Sequence, residues 1–154
     1  MRMGLVLGAV GLAIVVAGCT PTYVAPRSGP VAQVSLTRGT MNESEHAKLM
    51  VTRPDGSGRA DITGGLLFTY DKPAAVPAGT PLHMELQTLR YAGQTEIYCG
   101  YRFMFVPQPE RVYAVSPDTG GSRACRANLV DTQTGQTPPS FQMIPIGPGW
   151  RPAD

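Results

Sequence analysis

The stretch Thr95-Glu96-Ile97-Tyr98-Cys99-Gly100-Tyr101-Arg102-Phe103-Met104-Phe105-Val106 restricts this chain more than any other. Successive side chains of a strand point to opposite faces. Ile97, Cys99, Tyr101, Phe103 and Phe105 share one parity, so they predict one long strand with a dense apolar face. Leu82 to Leu89 repeats the pattern. Leu82, Met84 and Leu86 alternate with His83, Glu85 and Gln87, which predicts a half-buried strand with a wet face holding His83. Further strands are expected at Val31–Thr37, Leu49–Thr52, Arg59–Thr63, Gly65–Tyr70, Arg111–Val115, Arg123–Val130 and Phe141–Ile146. The polar stretch Asn42–Lys48 is expected as one helical turn or an exposed loop. Turns are expected at Pro54–Gly58, Ala78–Pro81, Tyr91–Gln94, Pro107–Glu110 and Ser116–Ser122, and the 18 Gly and 15 Pro supply their chemistry. The expected fold is all-β: an antiparallel β-sandwich or partly closed barrel of about eight short strands.

The N-terminus is of another kind. Arg2 gives a positive start, and Gly4 to Gly18 is an uncharged, mostly apolar run of 15 residues. That is shorter than the roughly 20 residues a spanning helix needs, and it fits the apolar core of a secretory signal. The run ends in Val16-Ala17-Gly18-Cys19. An aliphatic residue, two small residues and a Cys resemble the lipobox of bacterial lipoproteins. The resemblance implies cleavage before Cys19 and acylation at Cys19, palmitate included, making it a membrane anchor. Thr20 stands where Asp would favour inner-membrane retention, so the resemblance implies the outer membrane, with the domain facing the periplasm. The expected organisation is a signal peptide at 1–18, the lipidated Cys and a Pro-rich tether at 19–30, a β-sandwich domain at 31–146 and a C-terminal tail at 147–154. The tether carries Pro21, Pro26 and Pro30 and reads as an extended spacer.

Removing 18 residues leaves 136 of 154, one domain long enough to bury a core. Loss of Arg2 leaves 12 basic side chains against 11 acidic ones. Such a balance predicts neither nucleic-acid binding nor a polybasic membrane patch. With Cys19 assigned to lipid, Cys99 and Cys125 form an even pair in an oxidising compartment, which predicts one intramolecular disulfide. The bridge constrains topology. A disulfide needs Cα atoms roughly 4.4–6.8 Å apart. In a plain three-strand meander the first and third strands lie about 9.6 Å apart, too far for a bridge. The strand carrying Cys125 is therefore expected either to pair directly with that carrying Cys99 or to cross to a facing sheet.

No metal and no cofactor are expected. His46 and His83 stand apart from any ligand spacing, and in Asp55–Asp61 Arg59 stands where a calcium loop needs a further ligand. There is no G-x-S-x-G, H-E-x-x-H, Walker loop or G-x-G-x-x-G, so the chain is expected not to be an enzyme. The expected role is a structural or adaptor component of an envelope assembly, acting through protein–protein contacts. The alternative is a periplasmic binding module or inhibitor of a soluble partner such as a hydrolase. Candidate partner contacts are Tyr98, Arg102 and Met104, on the parity opposite the dense apolar face, and Trp150 in the tail.

Overall fold

The computed structural model describes residues 20–41, 43, 45–63, 70–118, 126–147 and 151. Nine strands follow one another: β1 (Val31–Leu36), β2 (His46–Thr52), β3 (Ala60–Asp61), β4 (Ala74–Pro77), β5 (Leu82–Ala92), β6 (Thr95–Phe105), β7 (Val112–Asp118), β8 (Arg126–Asp131) and β9 (Gln142–Ile144). They form a four-stranded sheet, β4-β1-β7-β8, and a five-stranded sheet, β3-β2-β5-β6-β9. No helix occurs among the described residues.

Both sheets contribute to one core. Val34, Leu36, Val76, Tyr113, Val115 and Leu129 come from the first, and Leu49, Met84, Leu86, Tyr101, Phe103 and Phe105 from the second. The Phe105 ring meets Tyr113 edge-on at 5.0 Å, so an aromatic contact links β6 to β7. The arrangement is sandwich-like, and the partly closed barrel is set aside because the strands divide into two separate sheets. It is also not wholly antiparallel. β1 and β7 run parallel, Gln33 opposite Val112 through Leu36 opposite Val115. A parallel pair needs a long crossover, and the chain between β1 and β7 supplies one that includes β2, β3, β5 and β6 of the other sheet.

The apolar parity of β6 is the inward one: Tyr101, Phe103 and Phe105 are buried. The β5–β6 hairpin is the longest pairing, from Leu82 opposite Phe105 to Ala92 opposite Thr95. Only Gly93 and Gln94 lie between the two strands, so the turn is tighter than the four residues expected. Gly93 has φ 65 and Gln94 is not in the positive-φ region, the pattern of a type II′ turn. β6 and β7 lie in different sheets and β8 pairs with β7, so this part of the chain is not a meander.

Several strands depart from the expected limits, and β7 runs on to Asp118 into the turn expected from Ser116. β2 starts at His46 rather than Leu49, because His46 and Lys48 alternate with buried Ala47 and Leu49. The polar stretch therefore enters a strand instead of making a helical turn. β4 was hidden by Pro73 and Pro77; it is an edge strand, where a residue without an N–H is tolerated. The expected strand at Gly65–Tyr70 falls, except for Tyr70, outside the described residues.

The expected wet face of β5 is mostly dry. Glu85 is 0 % exposed and Gln87 is buried as well, because the turn between β2 and β3 folds over this face and Arg59 reaches Glu85. His83 is half-buried, with its Nδ1 shielded from solvent.

The Pro-rich segment also differs from a free spacer along its whole length. Thr22 bridges Asp61 in parallel, the Asp61 amide donates to the Pro21 carbonyl at 2.9 Å, and the Tyr23 amide donates to the Asp61 carbonyl at 2.9 Å. Tyr23 packs against the core, and its burial pushes the phenol pKa up. An apolar aromatic among the prolines gives the segment something to bury.

One glycine is held by close approach. Gly39 has φ 56, and a Cβ there would run into the Pro117 carbonyl oxygen. We expect Gly39→Ala to cost roughly 1–3 kcal/mol, combining a strained backbone with displacement of β7, read as a lower urea midpoint. Gly29→Ala, whose Cβ would meet nothing within 4 Å although its φ is 88, separates the backbone contribution from the clash.

Candidate functional site

The outward face of the five-stranded sheet carries three of the four expected contact residues. Cross-strand register sets its rows. Met50 lies opposite Glu85, Glu85 opposite Arg102 and Arg102 opposite Ile144. Lys48 lies opposite Gln87 and Gln87 opposite Gly100. His46 lies opposite Leu89 and Leu89 opposite Tyr98.

The middle of this face is closed. Met50 is fully buried yet stands apart from the inter-sheet core, so it is covered on the outer side. Glu85 accepts from Arg59 Nε through Oε2 at 3.2 Å and from Gln87 Nε2 through Oε1 at 2.7 Å. Arg59 also donates through Nη1 to the Arg151 carbonyl at 3.1 Å, which ties the end of the chain to the turn between β2 and β3. Arg102 donates through Nη2 to the Pro54 carbonyl at 3.1 Å, and its guanidinium fills the space beside Gly56. Arg102 thus holds the 53–59 turn. Met104 is half-buried in the row of His83 and Gln142.

The end nearest the β5–β6 turn is open. Tyr98 is 44 % exposed and Tyr91 is 50 % exposed, on the same side as Leu89. The Tyr98 hydroxyl donates to Glu96 Oε2 at 3.0 Å, which fixes the ring. Beside it lies a cleft of about 190 Å³ lined by His46, Lys48, Gln87, Leu89 and Tyr98. Ligand pockets usually run to about 300–1,000 Å³, so this cleft suits a single inserted side chain better than a free small molecule. A second cleft, of about 180 Å³, lies by Gln108, Asp131, Thr134 and Ser140. Its carboxylate is occupied by its own loop: Asp131 Oδ1 accepts from the Gln133 amide at 2.8 Å, and Oδ2 faces Arg111 Nη1 at 3.5 Å.

Tyr98, Arg102 and Met104 therefore share a face but not a patch. Four residues separate Tyr98 from Arg102, about 13 Å along the strand. Tyr98 instead meets His46, Lys48 and Leu89, with Tyr91 nearby. The sequence held a signal for this group. Leu82, Met84 and Leu86 keep the inward parity, whereas Leu89 and Tyr91 fall on the outward one. That change of apolar parity marks where the strand leaves the sandwich.

Cys99 lies on the inward face of β6. Cys19, Cys125 and Trp150 lie outside the described residues. Tyr101, two residues on, is buried, and desolvation raises its phenol pKa. In the Asp55–Asp61 turn, Asp55 Oδ1 accepts from the Ser57 amide at 2.8 Å, a bond that lowers its carboxyl pKa. Asp61 Oδ1 accepts from the amide and the hydroxyl of Thr63. Among the described residues no group of three or more His, Cys, Asp or Glu is placed to hold a metal ion. No family model, curated protein or solved structure matches the chain.

Proposed function

We propose that this protein is a lipid-anchored component of the bacterial envelope, held in the outer membrane by acyl chains on Cys19, that joins an assembly through protein–protein contacts. The observation that carries the adaptor reading is the open end of the β5–β6 hairpin. It presents Leu89, Tyr91 and Tyr98 beside a cleft of side-chain size, on a face whose middle is closed by the protein's own turn. Exposed tyrosines beside a small cleft are the chemistry of interface anchors. A photo-crosslinking amino acid at Tyr91 in intact envelopes tests it. A defined envelope protein should be captured, and Tyr98→Ala should abolish the capture. Since Tyr98 lies on the surface, the same change should alter stability by no more than about 0.5 kcal/mol. Capture that is indifferent to Tyr98→Ala would defeat the adaptor reading.

The anchor has its own test. Cys19→Ala should carry no acyl chain by mass spectrometry and should leave the detergent phase. An acylated Cys19→Ala protein would exclude this residue as the lipid site.

The reading includes a Cys99–Cys125 bridge between the two sheets. Support comes from the inward position of Cys99 on β6 and the inward parity of Ala127 and Leu129 on β8, the strand that follows position 125 in sequence. The closed loop of about 27 residues is worth on the order of 3 kcal/mol. Cys99→Ala/Cys125→Ala should lower the unfolding free energy by about that much. Two free thiols in the exported, unreduced protein would remove this element of the proposal.

A further inference from the structure

The direction of the N-terminal segment orients the domain on its membrane. Thr22 bridges Asp61 in parallel. β2 runs toward the 53–59 turn, and β3 runs back from that turn in antiparallel register, Met50 opposite Asp61. A segment parallel to β3 therefore also runs away from the turn, and its N-terminal side points at the turn. Continuing the register by two residues sets Thr20 beside Arg59. Chain length gives an independent limit: three residues separate 19 from 22, so their Cα atoms lie at most about 11 Å apart. The β5–β6 turn lies at the other end. Glu85 shares a row with Met50 and Asp61, and Gly93 is eight residues further along β5, about 27 Å at strand rise.

We infer that the 53–59 turn is the membrane-facing end of the domain, seated on the phospholipid headgroups, with the β5–β6 turn at the distal end. This rests on the reading of Cys19 as the lipid anchor. Acyl chains on Cys19 must enter the hydrocarbon, and the hydrogen bonds of Pro21 and Tyr23 to Asp61 leave no long spacer to lift the domain away. Charge at this end agrees. Arg53 is exposed on the turn, the Arg102 guanidinium donates to the Pro54 carbonyl of the turn, and Arg59 at its end pairs with the buried Glu85. Cationic side chains beside an acylated residue favour the anionic lipid surface. The same geometry turns Tyr91 and Tyr98 away from the bilayer, where a partner can reach them.

The test uses the acylated full-length protein in vesicles of phosphatidylethanolamine and phosphatidylglycerol that contain a headgroup spin-labelled lipid. A fluorescent amino acid is placed at Ser57 or at Gln94, both in turns. The expected result is that the Ser57 probe loses most of its emission to the labelled lipid, while the Gln94 probe keeps its own. Equal quenching, or stronger quenching at Gln94, would overturn the orientation. Mass spectrometry of the same sample reads the acyl chains separately. If Cys19 carries none, the anchor reading fails by itself. The mature chain is then tethered through Cys19 to a maleimide phospholipid, and the same two probes decide the geometry. A third variant, Arg53→Glu, should weaken quenching at Ser57 in phosphatidylglycerol vesicles without releasing the protein, because the lipid still holds it. Unchanged quenching in that variant would remove the charge part of the inference.

Discussion

Phe103→Ala should destabilise the domain by about 3–5 kcal/mol, the range for deleting a buried aromatic ring. The ring is 0 % exposed. It lies 6.5 Å from Phe105 within β6 and 5.6 Å from Phe141, the residue preceding β9. Truncation would leave a cavity bounded by rigid strands, which collapse poorly into lost volume. A domain of this size holds about 5–15 kcal/mol in all, so the loss is a large fraction. It corresponds to a fall in Tm of roughly 10–20 °C. Phe103→Leu should cost much less, because it keeps most of the apolar volume. Thermal unfolding of the detergent-solubilised protein, followed by circular dichroism, compares them. A loss below about 1 kcal/mol for the alanine variant would mean that the two sheets do not share this core.

That core is also where the sequence spoke most clearly. Ile97 to Phe105 keep one parity over nine residues, and neither a helix nor a loop sustains a period of two for that length. The hairpin with Leu82–Leu89 followed from two such runs with turn chemistry between them. Glu85 was harder. Polar residues at alternate positions read as a solvated face, and that reading holds only when nothing covers the face. Here the 53–59 turn folds back over it, a non-local event set by Arg59 and Arg102 from distant parts of the chain. β4 was lost for a local reason, since Ala-Ala-Val-Pro has little strand propensity and pairs only because β1 lies beside it. The parallel β1–β7 pair left no local mark at all, because register between strands so far apart is fixed by the whole sandwich. For the site, the outward parity of Tyr98, Arg102 and Met104 was legible, but their separate fates depended on which of them the turn would cover.

Arg59→Met should cost about 3 kcal/mol, even though Arg59 is on the surface side of its pair. The Arg59 side chain is 25 % exposed, whereas that of Glu85 is 0 % exposed. Removing the guanidinium leaves the carboxylate buried with Gln87 donating to one oxygen and the ion-pair partner of the other gone. The desolvation cost borne by a buried carboxylate that loses a charged partner is what makes breaking such a pair expensive, more than the attraction lost. Arg59 also donates to the Arg151 carbonyl, so the variant should loosen the C-terminal end and speed its proteolysis. The double variant Arg59→Met/Glu85→Leu distinguishes a buried-charge effect from simple loss of packing. With no carboxylate left to desolvate, it should recover to within about 1 kcal/mol of the parent, since apolar replacement of a buried ion pair is often neutral. Urea unfolding of the parent, both single variants and the double one closes the cycle. If the two single losses simply add, the carboxylate and guanidinium are not coupled, and the closed middle of this face is held by packing alone.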